Sequence, residues 1–362
     1  MMERSGIADL PLHPGHAPKW LFERMVKLSG EIVEIIKLEF GREEVLKRLA
    51  DPYWFQAFSC VIGFDWHSSG TTTVTMGALK EALKPENGIV VVGGKGNVSK
   101  RTPKEIEKIG EEFNLSTWKI AKLKKVSRLA AKVDNVALQD GYQLYHHTMV
   151  IDECGNWVVV QQGLNERKKY ARRYHWLYGI PSMVSEPHSG IISDAIEKAV
   201  LDMTANKSKE ARKISVDLVK DGVSGIRSMI SELRDSSQKT LDDFSGVKVL
   251  KMPWRINWRA LFDAYEIQPR NYEELLEVKG IGPSTVRALA YIAEIIYGAS
   301  LSWKDPVKYS FALGGKDGVP KPVDRKAYDK SIEILQLTIE EAKIDRKEKL
   351  RMLQRLRRFV PP

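Results

Sequence analysis

Strand-like sequence is concentrated in the first half of this chain. The run "IVVVGGKG" at residues 89–96 is apolar and ends in glycines, while residues 142–165 form two alternating runs around a Glu-Cys-Gly-Asn turn. Short apolar runs bounded by turn residues predict buried strands, and two of them around a tight turn predict a β-hairpin. Beyond about residue 180 the apolar residues recur at helical spacing instead.

This division predicts an α/β N-terminal domain, with helices around a mixed sheet, followed by an all-α domain. The second half of the apolar run at residues 53–69, "YWFQAFSCVIGFDWHSS", is expected to form a further buried strand. The expected domains are an α/β domain at 1–178, a helical connector at 179–250 and a helical domain at 251–362. A chain of 362 residues is long enough for two or three such domains.

Composition places the chain among globular proteins, with 43% hydrophobic and 29% charged residues. Its longest apolar runs are too short to cross a bilayer, and the first residues contain no apolar signal segment. These features predict a cytoplasmic protein. Cys60 and Cys154 are isolated and match no metal-binding spacing, so both are expected to be free thiols.

The chain carries a formal net charge of +10, and this surplus is unevenly distributed. Residues 119–132, 167–173 and 346–358 are strongly basic, and the first and last of these have apolar residues at helical spacing. Such patches are typical either of solvated helix faces or of surfaces that bind phosphate groups. Three of them in one chain favour an anionic partner, most commonly nucleic acid.

A helical pattern at residues 271–297 is interrupted by Gly-Ile-Gly-Pro and then resumes. The spacing predicts a helix, a tight turn with Ile281 as an apolar plug, and a second helix that begins near Pro283. Glycines permit both a tight turn and a close approach by another backbone. The free amides at the start of the second helix are suited to a phosphate group.

The stretch "VKGIGPST" at residues 278–285 resembles the helix-hairpin-helix motif, which binds DNA backbones without reading their sequence. Val278 to Gly282 match the hydrophobic-x-Gly-hydrophobic-Gly core of that motif, and Ser284 stands where the motif often carries a lysine. The resemblance implies contacts to DNA phosphates through Lys279, Gly280, Ile281, Gly282, Ser284, Thr285 and Arg287.

Three other stretches, "RSGIADLPLH", "DNVALQDGYQLYHHTMV" and "PVDRKAYDKSIEIL", resemble domain-of-unknown-function 763, a family of archaea and thermophilic bacteria. The resemblance extends along the whole chain. It implies a thermophilic prokaryotic protein, and it brings no established reaction with it. Function must therefore be inferred from the residues themselves.

The first group of candidate catalytic residues lies in the N-terminal domain. Asp65 and His67 follow a predicted strand, at the edge of the sheet where α/β proteins bind ligands. The predicted hairpin adds His147 and Asp152, and strand alternation predicts that Tyr145 and His147 share one face while His146 lies on the other. Together with Asp140, such residues could hold Mg²⁺ or Mn²⁺ and activate water, as in a metal-dependent nuclease.

The predicted hairpin also resembles a phospholipase D-type nuclease half-site, which pairs a His-x-Lys strand with an Asp five residues later. In this chain Tyr145 stands in place of the nucleophilic His and His147 in place of the Lys. The resemblance implies a homodimer, because each half-site supplies only half of the active site. Either the likeness is accidental, or the site uses other groups.

A second group follows the hairpin motif. Helix-hairpin-helix glycosylases carry a catalytic Asp about twenty residues beyond the second glycine, often after Val. Asp305 has roughly that spacing, and Asp324 has the Val-Asp context but lies farther along the chain. Neither residue meets both conditions, and Asp324 is equally suited to cap a following helix.

Aromatic residues provide a further alternative for contacts with nucleic acid. In "WRINWR", Trp254 and Trp258 alternate with Arg255 and Arg259, a pattern typical either of base stacking or of core packing beside exposed arginines.

Three classes of function therefore remain open. The favoured class is a DNA repair or processing enzyme that grips backbone phosphates; a nuclease is favoured within it, and a glycosylase or AP lyase comes next. The alternatives are a non-catalytic DNA-binding or damage-recognition protein and a protein that binds RNA.

Overall fold

The structure is a computed structural model. It describes residues 19–63, 69–193, 195–236, 253, 255–307, 337–340, 350 and 353. Four helices come first along the chain: α1 (Lys19–Phe40), α2 (Arg42–Ala50), α3 (Pro52–Ile62) and α4 (Ser69–Ala82). Two more, α5 (Thr102–Glu112) and α6 (Thr117–Lys132), follow the first strand. The C-terminal part contains α7 (Lys209–Asp221), α8 (Val223–Ser236), α9 (Trp258–Ile267), α10 (Tyr272–Glu277) and α11 (Pro283–Ile295).

The centre of the protein is a five-stranded sheet in which every neighbouring pair is antiparallel. Its strands are β1 (Ile89–Lys95), β3 (Gln143–Asp152), β4 (Trp157–Asn165), β5 (Tyr170–Leu177) and β6 (His188–Ile192), in the spatial order β1-β3-β4-β5-β6. A separate two-stranded ladder pairs β2 (Leu138–Gln139) with β7 (Leu201–Asp202). The spatial order of the large sheet follows the chain order, as in a meander of hairpins.

Both faces of the sheet are covered by helices. The back face, which carries Val150, Val158 and Val160, packs against α1–α4. The front face, which carries Met149 and Val159, packs in a second core with α5, α6 and the C-terminal helices. Because side chains alternate along a strand, each strand contributes to both cores.

The predicted fold class was wrong in two respects. The sheet is antiparallel rather than mixed, and its strands extend to residue 192 with helices on both sides in sequence, so an α/β domain does not simply precede an all-α domain. In addition, the apolar run at 53–69 is helical in α3 as far as Ile62, and most of its second half, where a strand was predicted, lies outside the described residues. The Asp51 side chain accepts bonds from the amides of Tyr53 and Trp54, and Pro52 occupies the first turn, which together favour a helix.

Strand β5 was also missed, because it coincides with the basic patch at residues 167–173. Arg172 and Arg173 are both fully buried, one on each face of the sheet. This part of the patch therefore cannot bind an external phosphate. The basic patch at 119–132 is helix α6, as predicted, and the patch at 346–358 lies outside the described residues except for Leu350 and Leu353.

The front core is continuous with the helices that follow. It contains sheet residues such as Trp176 together with Leu261 of α9, Leu275 of α10 and Leu289 of α11. Helix α10 lies against α6, and α11 lies against α7 and α8. The sheet and α10–α11 therefore share one core. The domain boundaries expected from the sequence, at residues 178 and 250, stay a prediction. Among the described residues, no helix combines the length and apolar character needed to span a membrane.

Candidate nucleic-acid interface

Helices α10 and α11 form two arms joined by the turn at residues 278–282, as the sequence predicted. Ile281 is fully buried between them, in the front core. Gly280 has a φ of +89°, a conformation that side-chain-bearing residues rarely adopt. A Cβ atom at that position would lie 2.7 Å from Asn257 Nδ2 and 3.0 Å from Ala260 Cβ. The turn thus requires glycine at this position both for its backbone conformation and for space.

Side chains from other elements hold the turn in place. Lys132 Nζ, at the end of α6, donates to the carbonyl of Ile281 at 2.7 Å, and burial lowers the pKa of Lys132. Asn257 Nδ2 donates to the carbonyl of Gly280 at 3.3 Å. Gln139 Nε2 donates to the carbonyl of Pro283 at 2.8 Å. These bonds fix the carbonyl groups of the turn, and the Ile281 amide donates to the carbonyl of Val278 at 3.2 Å.

The start of α11 differs from the starts of α9 and α10. Asn257 and Asn271 cap those two helices with their side chains. Helix α11 begins after Gly282, which has no side chain to cap the first turn, and Pro283 occupies the first helical position. Uncapped amides at a helix N-terminus, together with the helix dipole, favour an anion. Ser284 is partly exposed at this turn.

Two of the predicted contact residues are less accessible than the sequence implied. The Thr285 side chain is buried, so its hydroxyl does not reach the surface. Arg287 Nε donates to Gln139 Oε1 at 2.8 Å, which turns the guanidinium towards β2, and burial lowers its pKa. Lys279, in contrast, is exposed on the turn itself.

Further cations surround the turn. Arg255 and Arg259 are exposed on either side of Asn257, the residue that bonds the turn. On the other side, Arg128 of α6 is exposed and lies 3.9 Å from Glu277 Oε1. Glu277 offsets part of the charge of Arg128, so Lys279, Arg255 and Arg259 are the main exposed cations around the turn.

Sequence reasoning did not identify Lys132 or Asn257 as part of this site. An Asn directly before a helical run is a recognisable cap signal, and Asn257 does accept from the amide of Ala260. Its second contact, to Gly280, joins residues 23 apart, and no local pattern shows it. The same holds for Lys132, whose bond to Ile281 spans 149 residues.

The predicted Asp/His cluster of the N-terminal part is only partly visible. Asp65 and His67 lie outside the described residues, in the stretch that joins α3 to α4. The structure does describe His147, whose ring is buried on the front face. His147 Nδ1 donates to Gln161 Oε1 at 2.7 Å, because Gln161 Nε2 already donates to Asp134 at 2.5 Å. His147 Nε2 therefore accepts from the hydroxyl of Ser127 at 2.8 Å.

This chain of bonds ends on Asp134, which is fully buried. Asp134 also accepts from Trp176 Nε1 at 2.9 Å and bonds His188 Nε2 at 2.5 Å. Burial lowers the pKa of His147, which keeps its imidazole neutral. The Ser–His contact resembles an activated nucleophile, but Ser127 is 3% exposed inside α6. This arrangement satisfies buried polar groups rather than presenting them to a substrate.

Asp152 does not join His147. The two residues are five positions apart on β3, so they face opposite sides of the sheet and are separated by about 17 Å along the strand. The Asp152 carboxylate accepts from the amides of Cys154 at 2.9 Å and Asn156 at 2.8 Å. Its observed contacts therefore stabilise the turn between β3 and β4.

Tyr145 departs from the strand alternation that the sequence predicted. The β3–β4 register shifts between Leu144 and His146, which leaves Tyr145 as a β-bulge. Its hydroxyl accepts from Gln162 Nε2, and Gln162 is also bonded by Thr72 of α4. Tyr145 therefore lies with His146 on the back face rather than with His147.

Asp140 and Asp305 are both bound to Arg172. The Arg172 guanidinium donates to Asp140 at 2.9 Å and to both carboxylate oxygens of Asp305, at 2.7 and 3.0 Å. Tyr174 also donates to Asp140, at 2.7 Å. Desolvation acts to lower the pKa of Arg172, but the two carboxylates raise it overall. Asp324, the other glycosylase candidate, lies outside the described residues.

Within the described part of the chain, no three His, Cys, Asp or Glu side chains are grouped as a metal site. The expected Mg²⁺ or Mn²⁺ therefore has no described ligand set, and Asp65 and His67 stay untested as ligands.

Comparison with known proteins gives a family but no reaction. No curated protein matches the chain. No solved structure matches it either. A family model, DUF763, described as a protein of unknown function, matches residues 6–323, and the chain therefore belongs to the DUF763 family.

Proposed function

We propose that this protein binds the phosphate backbone of DNA, without reading base sequence, through the turn between α10 and α11. The observation that carries the proposal is the uncapped first turn of α11. It lies in a turn that Lys132, Asn257 and Gln139 fix by bonding its carbonyl groups. Such a turn can receive a phosphate oxygen with little loss of conformational entropy.

The charge around the turn supports a polyanion rather than a single small anion. Lys279, Arg255 and Arg259 are exposed near it, and Arg128 is exposed beside Glu277. Cations arranged around one amide site can contact successive phosphates of a strand, and release of counterions then drives binding. RNA offers the same phosphates, so an RNA duplex belongs in the test as a competitor.

The proposal is tested by filling the amide site from within the protein. A Cβ at Gly282 would meet no atom closer than 3.9 Å, and the backbone there is extended, as at an ordinary N-cap. Gly282→Asp and Gly282→Asn would each place a side-chain oxygen on the amides of α11. We expect both variants to fold and to be as stable as the parent or more so, since a good cap adds about 1 kcal/mol.

Both variants are also expected to bind labelled duplex DNA at least about tenfold more weakly, measured by fluorescence anisotropy. Gly282→Asn keeps the net charge, so a loss of DNA affinity in this variant would show that the side chain occupies the amides, not that it repels the phosphates. Lys279→Ala should make the salt dependence of binding shallower by about 0.9 in log–log slope. Lys27→Ala, at an exposed lysine of α1 behind the sheet, is the matched control. Unchanged affinity in both Gly282 variants would rule out the site.

DNA cleavage is a second candidate activity, which a screen would test. The described catalytic candidates, His147 and Asp152, lie apart and hold structural bonds. Labelled duplex, single-stranded, branched and base-lesion DNA would be incubated with Mg²⁺, Mn²⁺ or EDTA, before and after alkali. Metal-dependent strand breaks would support a nuclease. Breaks that survive EDTA would support a glycosylase or lyase. Tight binding without breaks would support a recognition protein.

A further inference from the structure

Helix α6 carries a stripe of residues that leads from the α10–α11 turn to an exposed tryptophan. Trp118, Lys122, Lys125 and Lys132 are spaced by four, three and seven residues, so they lie on one face of the helix. The C-terminal end of this stripe meets the turn, where Lys132 bonds Ile281. At the middle, Lys125 Nζ lies 2.8 Å from Glu277 of α10. At the N-terminal end, Trp118 and Lys122 are exposed.

Trp118 differs in exposure from the other tryptophans that the structure describes. The structure describes six tryptophan side chains, and Trp118 alone among these six is exposed, at 66%. The others are buried or half-buried: Trp54, Trp157, Trp176, Trp258 and Trp303. A solvent-exposed indole forgoes a large gain from burial, so such residues commonly mark binding surfaces.

The charge beside Trp118 indicates what it binds. Lys122 Nζ lies 5.0 Å from the centroid of the indole ring, and Lys122 forms no ion pair within the described part of the chain. Lys119 is exposed on the same turn and donates to the carbonyl of Cys154. On α10, Glu277 is already bonded by Lys125. An exposed aromatic ring beside lysine side chains is the arrangement that stacks bases of single-stranded nucleic acid.

We propose that Trp118 stacks an unpaired base of the same DNA whose backbone is held at the α10–α11 turn. This inference rests on the proposed function, and it names the substrate class as DNA with a junction between duplex and single strand. Trp118 and Lys132 are 14 residues apart, or about 21 Å along the helix. That distance corresponds to about six nucleotide steps at 3.4 Å each.

The test compares three labelled DNAs of matched length: a blunt duplex, a duplex with a single-stranded extension, and a single strand. For the unmodified protein we expect the extended duplex to bind most tightly. Trp118→Ala should lower the affinity for the extended duplex about tenfold and leave the blunt duplex within about twofold. Trp118→Phe keeps an aromatic face and should retain most of the preference. Phe262→Ala, at another exposed aromatic residue, is the control.

The outcomes separate this inference from the proposed function. Equal losses on blunt and extended duplexes, or no loss on either, in Trp118→Ala would overturn the stacking role. If Gly282→Asp left all affinities unchanged while Trp118→Ala removed the preference, the proposed amide site would fail and the stacking role would stand. Vesicles of anionic phospholipid form a further arm. Binding to them that depends on Trp118, with DNA affinity unaltered, would overturn the inference in favour of a membrane surface.

Discussion

The Arg172 guanidinium and the Asp305 carboxylate form a two-bond ion pair, at 2.7 and 3.0 Å, between residues 133 apart in the chain. Both side chains are almost completely buried. Asp305 also accepts from the amides of Glu197 and Val307, so it joins the segment after α11 to strand β5 and to the loop after β6. The α10–α11 unit is therefore bound to the sheet at its far end as well as through α6.

Removal of the Asp305 carboxylate should destabilise the fold. Asp305→Ala leaves a buried guanidinium with Asp140 as its remaining described carboxylate partner, so we expect a loss of about 3–5 kcal/mol in the free energy of unfolding. Chemical denaturation measures this loss. Glu274→Gln, which breaks an exposed pair with Arg270, is the control and should leave the unfolding curve unchanged. If Asp305 were instead a catalytic base, Asp305→Asn would keep stability and lose only turnover.

The elements that the sequence predicted correctly have local signals. Strand β1, the β3–β4 hairpin and the α10–α11 turn each carry their own pattern of apolar residues and glycines. Helix α3 was missed because nearly every residue in it is buried, so no apolar stripe distinguishes it from a strand. Strand β5 was missed because Arg172 and Arg173 are buried by partners distant in sequence.

The candidate site shows the same limit. The spacing of Gly280, Ile281 and Gly282 sufficed to predict the turn, whereas the bonds from Lys132 and Asn257 are long-range. Strand parity alone would have separated His147 from Asp152, since five residues along a strand is an odd number. The bulge at Tyr145 could not be predicted, because it depends on the register with β4.

Stability should fall steeply as the pH drops below about 6.5, the usual pKa of histidine. Burial lowers the pKa of His147, and it lowers the pKa of His175 well below the usual value. Burial, together with the nearby His147 and Lys95, lowers the pKa of His146 to about 3. The unfolded chain then binds protons that the folded protein does not, so acid favours unfolding. Each such histidine contributes up to about 1.4 kcal/mol per pH unit.

His146 allows this effect to be measured separately. Its Nδ1 has no hydrogen-bond partner among the described residues, and its Nε2 lies 3.5 Å from Thr148 Oγ1, so His146→Leu should cost little at neutral pH. Urea unfolding at several pH values between about 8 and about 4 should give a shallower dependence for the variant, by about 1.4 kcal/mol per unit below pH 6. Parallel curves for the two proteins would show that His146 is protonated in the folded state.

Gly280→Ala should destabilise the protein by more than backbone strain alone. Gly298, whose φ is +70° and whose added Cβ would meet no atom within 4 Å, isolates the strain, and Gly298→Ala should cost about 1 kcal/mol. At Gly280 the new methyl group would also contact Asn257 Nδ2 at 2.7 Å, so we expect a total of about 2–3 kcal/mol. Thermal and urea unfolding of the two variants measure the difference.

A double-mutant cycle with Asn257→Ala identifies the cause of the extra loss. Asn257→Ala by itself removes the cap of α9 and the bond to Gly280, so it is destabilising as well. If the Asn257 side chain obstructs the methyl group, the double variant will lose less stability than the sum of the two single variants. If the two losses in stability were strictly additive, the backbone conformation alone would limit the Gly280 position. The turn would then have room for a methyl group, but its positive φ would still disfavour any residue other than glycine.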